Sequence, residues 1–366
     1  MLEIWCSGTP HEIGLAHGRQ AKDKVAGSVA FYKQLFQETC ALGWDEALRE
    51  AERYVAPLEA LAPRHLAEIR GIAEGAALPF LDVLALNVRS EINFGLFTDE
   101  AAGRGRDVPS DGCTSLGWLV PPGDGGGGGG GASSSSFLSQ NWDWRAEQAP
   151  HLVVCHIAQP GTAIPDLVIV TEAGIVGKIG LNAAGVGVGL NAIRCRGVDR
   201  AKLPVHLALR AVLEAPSRAE AVRRIRAAGV AVGAHLLVGD ATGATGLECT
   251  SWWVRELAMD ARGRVAHSNH LTLAHPDVEE PPWLADSPAR LARIRALTAA
   301  IARPDAGALF DVYKDLDGYP ASINRKQEGV SKSQTLFTII MNLTAKTAQV
   351  TFGRPTEYST RVFLSF

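Results

Sequence analysis

Residues 111–120 read Asp-Gly-Cys-Thr-Ser-Leu-Gly-Trp-Leu-Val, and the character of the chain changes at Gly112-Cys113. Upstream, apolar residues recur at helical spacing; downstream, short β-branched runs separated by Gly and Pro read as strands. A cysteine attacks only as a thiolate, and its ordinary pKa of about 8.5 leaves little thiolate at neutral pH. A chain cut between Gly112 and Cys113 would put an α-amino group, ordinarily about 7.7–8.0, on the same residue as the thiol. That amine is a base for the nucleophile. Gly112 has no Cβ to hinder the thiol's approach to its own preceding carbonyl, and Asp111 is placed to assist proton movement. The competing reading of Cys113 is a small buried core residue.

Thr9-Pro10-His11-Glu12 is a helix start with an N-cap, a first-turn Pro and a capping-box Glu. Ile13, Ala16, Ala21, Val25, Val29, Tyr32 and Phe36 continue one apolar face from it. Further helices are expected from Asp45, from Pro63 to about Glu74 with a stop at Gly75, and from Pro79. After Cys113 come strands at 113–120 and 137–142, joined by the Gly/Ser tract of 121–136, which reads as a flexible loop. That tract lacks the G-x-x-x-x-G-K-[ST] ending of a phosphate-binding loop. Strands are expected at 151–158, 167–171, 175–181 and 186–191, then helices at 204–213 and 217–228. Four strands between 235 and 268, helices from Ser287 and Asp305, and strands at 336–343, 348–352 and 361–366 complete the chain. The residues alone give an α+β fold.

The chain has 366 residues, 46% of them apolar, and a net charge of −3, which points away from nucleic acid. Six scattered cysteines without C-x-x-C fit a reducing compartment, and a cytoplasmic location is expected. No uncharged apolar run is long enough to span a bilayer, so no membrane partner is expected. The sequence ends Val362-Phe363-Leu364-Ser365-Phe366, without a peroxisomal S-K-L-type signal.

The DGCTS stretch, Gln140-Asn141-Trp142-Asp143, the run Thr171-Glu172-Ala173-Gly174-Ile175-Val176-Gly177, His267-Ser268-Asn269-His270 and Tyr319-Pro320 with Ser322-Ile323 and Arg325 occur in that order. Together they resemble the isopenicillin N acyltransferase family of self-processing N-terminal-nucleophile hydrolases. The resemblance implies a four-layer αββα sandwich. It also implies a cut that leaves residues 1–112 as a helical segment packed non-covalently on 113–366. The implied chemistry is acyl transfer or amide hydrolysis on a small molecule through an acyl-Cys113 intermediate; the alternative is an uncleaved relative that binds ligands or partners without catalysis. No cofactor is implied; acyl-coenzyme A enters as a possible substrate, and penicillin side-chain exchange as a possible reaction.

Asn269 has an amide N–H to offer a tetrahedral oxyanion, and the family's H-x-N-H motif places an Asn in that role. Asp143 falls where the family places an active-site Asp, suited to hold the new ammonium. His267, His270 and His275 lack a companion ligand at a recognisable metal spacing, so no metal is expected. Arg89, in Asn87-Val88-Arg89-Ser90-Glu91, is read either as a contact for a substrate carboxylate or as half of a structural pair with Glu91. Ser331 matches the family's Ser-Arg, whereas Lys332 replaces its Arg and loses bidentate geometry. Ser115 stands for a family Thr and Thr250 for a family Ser; Thr114 and Ser115 complete the set expected to contact substrate.

Overall fold

Thr9 opens the first helix as the sequence predicts: its hydroxyl accepts from the Glu12 N–H, and the Glu12 carboxylate accepts from the Thr9 N–H at 2.8 Å. The computed structural model describes residues 1–95, 112–122 and 134–366; Asp111, the linker of 99–110 and most of the Gly/Ser tract lie outside them. Strand β1 (Leu2–Ser7) precedes helices α1 (Pro10–Gln20), α2 (Lys22–Thr39), α3 (Trp44–Glu52), α4 (Val55–Leu61), α5 (Pro63–Ala76) and α6 (Phe80–Asn87). The expected long first helix is thus two helices, which meet at Ala21. The helix from Asp45 is also two, separated at residues 53–54.

Gly75 does not end α5, which runs on to a left-handed Ala77. Its role is to let α1 and α5 touch. A Cβ at Gly14 would lie 1.9 Å from the Glu68 carbonyl oxygen, one at Gly71 2.2 Å from that of His11, and one at Gly75 2.4 Å from that of Leu15. Backbone faces backbone at each point, so no rotamer change would make room.

The chain after Cys113 forms strands β2 (Thr114–Val120), β3 (Ser135–Trp144), β4 (Leu152–Ala158), β5 (Leu167–Glu172), β6 (Ile179–Asn182), β7 (Gly187–Ala192), β8 (Ala234–Asp240), β9 (Gly243–Cys249), β10 (Val254–Leu257), β11 (Arg264–His267), β12 (Gln334–Asn342), β13 (Thr347–Phe352) and β14 (Thr360–Ser365). Helices α7 (Val205–Leu213), α8 (Arg218–Ala228), α9 (Ser287–Ala299) and α10 (Ala306–Val312) join them. The expected loop of 121–136 is too long at its far end: Ser135 and Ser136 already pair with Val120 and Leu119 in the β2–β3 ladder. Trp252 and Trp253 leave the strand expected there because the Thr250 hydroxyl accepts from both of their N–H groups and closes a turn.

One sheet has the order β1-β4-β5-β6-β7-β8-β9-β10, the other β11-β2-β3-β12-β13-β14. β2 and β3 pack across onto β7, β8 and β9. Helices α1, α7 and α8 lie against the eight-stranded sheet, and α9 and α10 against the six-stranded one. The layers are therefore helix, sheet, sheet, helix, the four-layer αββα sandwich expected from the resemblance.

Glu172 ties the helical segment to the sheets. Its carboxylate accepts from the Tyr32 hydroxyl, from Arg89 Nη2 at 3.0 Å and from Lys178 Nζ at 2.7 Å, all in the core. Burial raises the Glu172 carboxyl, but Arg89 and Lys178 outweigh it and hold the group down to about 2. A depressed carboxyl contributes stability above its unfolded value and loses it as pH falls through the folded value. We expect Glu172→Ala to lower the unfolding free energy by roughly 3–5 kcal/mol at neutral pH, because it removes the buried carboxylate that Arg89 and Lys178 share. In urea titrations, the gap between wild type and Glu172→Gln should narrow as pH falls from 4.5 toward 2. A second expectation concerns the helix contact: Gly71→Val should cost about 3 kcal/mol or more by overpacking, read as a lower urea midpoint.

Candidate active site

Cys113 leads into β2 and is fully buried, with Sγ 3.9 Å from the Asp143 main-chain oxygen on neighbouring β3. The β2–β3 ladder sets this proximity, since Thr114 pairs with Asn141. The Asp143 carboxylate is also fully buried. It accepts from the Thr335 hydroxyl at 2.7 Å and lies 3.5 Å from Arg325 Nε. Arg325 in turn donates to Ser331 Oγ at 3.0 Å and pairs with Asp286. Burial and the like charge of Arg290 pull the Arg325 guanidinium below its usual range, while Asp286 and Asp143 oppose them.

Asn269 follows β11 and is held on four sides. Its N–H donates to Ser287 Oγ at 2.7 Å, its carbonyl accepts from Trp283 Nε1 at 3.1 Å, and its side-chain Nδ2 donates to the Ala192 oxygen at 3.0 Å. The amide Oδ1 accepts from Arg290 Nη2 at 2.9 Å. The same guanidinium donates through Nη1 to the Cys113 carbonyl at 2.8 Å and to Thr114 Oγ1 at 3.1 Å. Asp286 balances it at 2.7 Å. Arg290 thus joins the candidate nucleophile's residue to the candidate oxyanion donor.

A second donor reaches the Cys113 carbonyl: Asn191 Nδ2 at 3.1 Å. Asn191 Oδ1 faces Ser115 Oγ at 2.7 Å and His235 Nδ1 at 2.9 Å, which fixes its orientation. The His235 ring stacks on His267 with centroids 3.7 Å apart. Burial, with His267 adding, keeps the His235 pKa well below its usual value, so it is the neutral ring that meets Asn191.

Glu248, from β9 on the other sheet, sets the loop that carries Asn269. It meets His267 Nε2 at 3.0 Å and His275 Nε2 at 2.9 Å, and accepts from the Thr272 and Leu273 N–H groups at 2.7 and 3.1 Å. Burial raises its carboxyl, yet these donors bring it well below the carboxylate range. Two of the three neighbouring histidines therefore serve Glu248. Among the described residues no group of three or more His, Cys, Asp or Glu is arranged to hold a metal ion.

Thus Cys113, Thr114, Asp143, Asn269 and Ser115 are gathered at one place, with Gly112 beside Arg325. Ser331 reaches the same place only through Arg325, and Lys332 next to it is exposed. Arg89 and Glu91 have separate partners: Arg89 meets Glu172, and Glu91 accepts from the Val205 N–H at 2.8 Å. Thr250 caps the turn at Trp252 and Trp253. Asp111 lies outside the described residues. Sequence reading missed Arg290, Asn191 and Asp286. Arg290 had a signal: it stands four residues before Ile294, on the apolar face of α9, where a charge needs a partner. A cavity of about 440 Å³ opens beside Asn269, with Glu280, Trp283 and Leu284 in its wall.

Residues 131–357, more than half of the chain, match the family described as acyl-coenzyme A:6-aminopenicillanic acid acyl-transferase. The "acyl-coenzyme A:6-aminopenicillanic-acid-acyltransferase 40 kDa form" of Emericella nidulans is 35% identical over 372 residues, covering 100% of this chain and 96% of that protein. Among solved structures, a Caenorhabditis elegans ortholog of N-acylethanolamine-hydrolyzing acid amidase superposes with a TM-score of 0.45 at 14% identity, over 63% of this chain and 93% of that one. Penicillin V acylase from Agrobacterium tumefaciens gives a TM-score of 0.33 at 13% identity, over 71% and 80%.

Gly112 generates a direct expectation. A Cβ there would lie 2.0 Å from Arg325 Nε and 2.6 Å from Cζ. Gly112→Ala should push Arg325 off Asp143 and slow any scission at this bond by at least about tenfold, a barrier change of roughly 1.4 kcal/mol. Gel densitometry of freshly expressed protein over time checks this; an unchanged rate would mean that Arg325 yields freely.

Proposed function

The chain belongs to the acyl-coenzyme A:6-aminopenicillanic acid acyl-transferase family, and on that premise we propose that it is a self-processing cysteine acyltransferase whose nucleophile is Cys113. The observation that carries this reading is the Arg290 bridge between the Cys113 carbonyl and the Asn269 side chain. A nucleophile that becomes a chain terminus loses its upstream tether. Arg290 and Asn191, both donating to its carbonyl, would keep it in register with the oxyanion donor.

In the first step the Cys113 thiol attacks the Gly112 carbonyl, and the peptide nitrogen leaves as the new α-amine after an N-to-S acyl shift. Water then releases Gly112 from the thioester. In the working cycle the α-amine accepts the thiol proton, and the thiolate adds to the carbonyl of an amide or thioester. Asn269 Nδ2 has two N–H bonds, one given to Ala192, so the other is the donor proposed for the oxyanion. Collapse expels the amine or thiol, which takes the proton back from the α-ammonium. A second amine, or water, resolves the acyl-cysteine. Asp143, paired through Thr335 and Arg325, orients the α-ammonium.

The substrates proposed are an acyl-coenzyme A thioester or an N-acyl penicillin-type amide as donor and a 6-aminopenicillanic acid-like amine as acceptor. The relative from Emericella nidulans carries acyl-coenzyme A and 6-aminopenicillanic acid in its name. The fragments 1–112 and 113–366 are proposed to remain together as a non-covalent pair.

Intact mass and N-terminal sequencing test the reading beside Cys113→Ala. The wild type should yield a fragment beginning Cys-Thr-Ser and the variant a single uncut chain. With acyl-coenzyme A, the cut enzyme should release free coenzyme A in a burst equal to its Cys113 content. An uncut wild type, or a variant that is cut normally, would remove the mechanism; release to water rather than to an added amine would make the activity hydrolysis.

A further inference from the structure

The cavity beside Asn269 has no part in the steps above. Its volume is about 440 Å³. Glu280 lines it, and among the described residues the one donor to its carboxylate is the Leu271 N–H, at 3.0 and 3.2 Å from the two oxygens. A carboxylate offers about four acceptor sites, so most of its capacity faces elsewhere. The nearby Arg196 pairs with Glu279 instead, at 2.7 Å. Burial pushes the Glu280 carboxyl up to about 7; the Leu271 N–H opposes this and Glu248 adds to it. Among the described residues, no cation pairs with this cavity carboxylate.

Trp283 shares the cavity. Its indole N–H is fixed on the Asn269 carbonyl at 3.1 Å, which orients the ring. A carboxylate and an indole are the two protein groups that most favour an organic ammonium, by charge and by cation–π attraction. Leu284 and the neighbouring prolines supply apolar surface for the rest of such a molecule. Asn269 connects the cavity to the chemistry. Its main chain holds Trp283, while its side chain meets the guanidinium that binds the Cys113 carbonyl.

We propose that this cavity is a substrate subsite for an ammonium-bearing group, held between Glu280 and Trp283 with its apolar portion against Leu284. The proposal rests on the Cys113 reading for the word substrate, and on the cavity alone for the binding.

Ligand-observed NMR on the full-length protein tests it, with benzylamine and its neutral analogue benzyl alcohol as probes at millimolar concentration. The amine should bind about tenfold more tightly than the alcohol, or more. Glu280→Gln should collapse that ratio toward unity, Glu280→Asp should keep most of it, and Trp283→Leu should weaken the amine further than the alcohol. Equal binding of the two probes, no binding of either, or a ratio unmoved by Glu280→Gln would overturn the subsite. Cys113→Ala separates the two claims. It should lose turnover yet keep the amine preference; retained turnover would fell the catalytic reading and leave the binding result standing.

Discussion

The Arg290 guanidinium fixes the centre of this molecule. It is almost wholly buried, at 2% exposure, and a buried cation without partners costs several kcal/mol. Its planar fork is met on every side: Cys113 just before β2 and Thr114 at its start, Asn269 from the loop after β11, and Asp286 just before α9. The start of β2 and the region from Asn269 to Arg290, distant in sequence, are thereby brought to one group of fixed shape. A lysine would supply the charge without the fork, and so could not set their relative positions.

Arg290 begins a row of alternating charge that continues through Asp286 and Arg325 to Asp143. Each member is stabilised chiefly by its neighbours, so the row behaves as a unit. The constraint reaches the backbone at Gly112, where Arg325 occupies the space a side chain would need. The glycine before Cys113 is therefore favoured by packing against Arg325 as well as by the conformational freedom that its sequence position suggests.

Much of this was legible in the sequence, for physical reasons. Thr9 and Glu12 satisfy each other locally, so the first helix start could be read from four residues. β12 and β13 are apolar, β-branched runs that meet across a short turn, so they could be read as a hairpin. Cys113, Asp143 and Asn269 were reached through residue chemistry joined to a family resemblance. What stayed hidden depends on distant partners. Gly75 reads as a helix stop because a glycine's local cost is visible and its contact with α1 is not. Arg290 and Asn191 lie 177 and 78 residues from Cys113, and no local pattern encodes either contact.

The boundary at Cys113 is a boundary in sequence pattern and not in packing. β1 completes the eight-stranded sheet by pairing in parallel with β4, Leu2 opposite Val153. His17, held neutral because burial takes its pKa down to about 4, receives the Gly174 N–H at 3.0 Å. Asn87 holds the same turn from the other side, donating to the Gly174 oxygen at 2.8 Å and accepting from the Val176 N–H at 2.9 Å. Tyr32 and Arg89 reach Glu172 just before that turn. All four side chains come from the helical segment, and all converge on residues 172–176. A broken peptide bond at residue 112 would remove one covalent link and none of these contacts. The core that positions Cys113 is thus built from both sides of the bond.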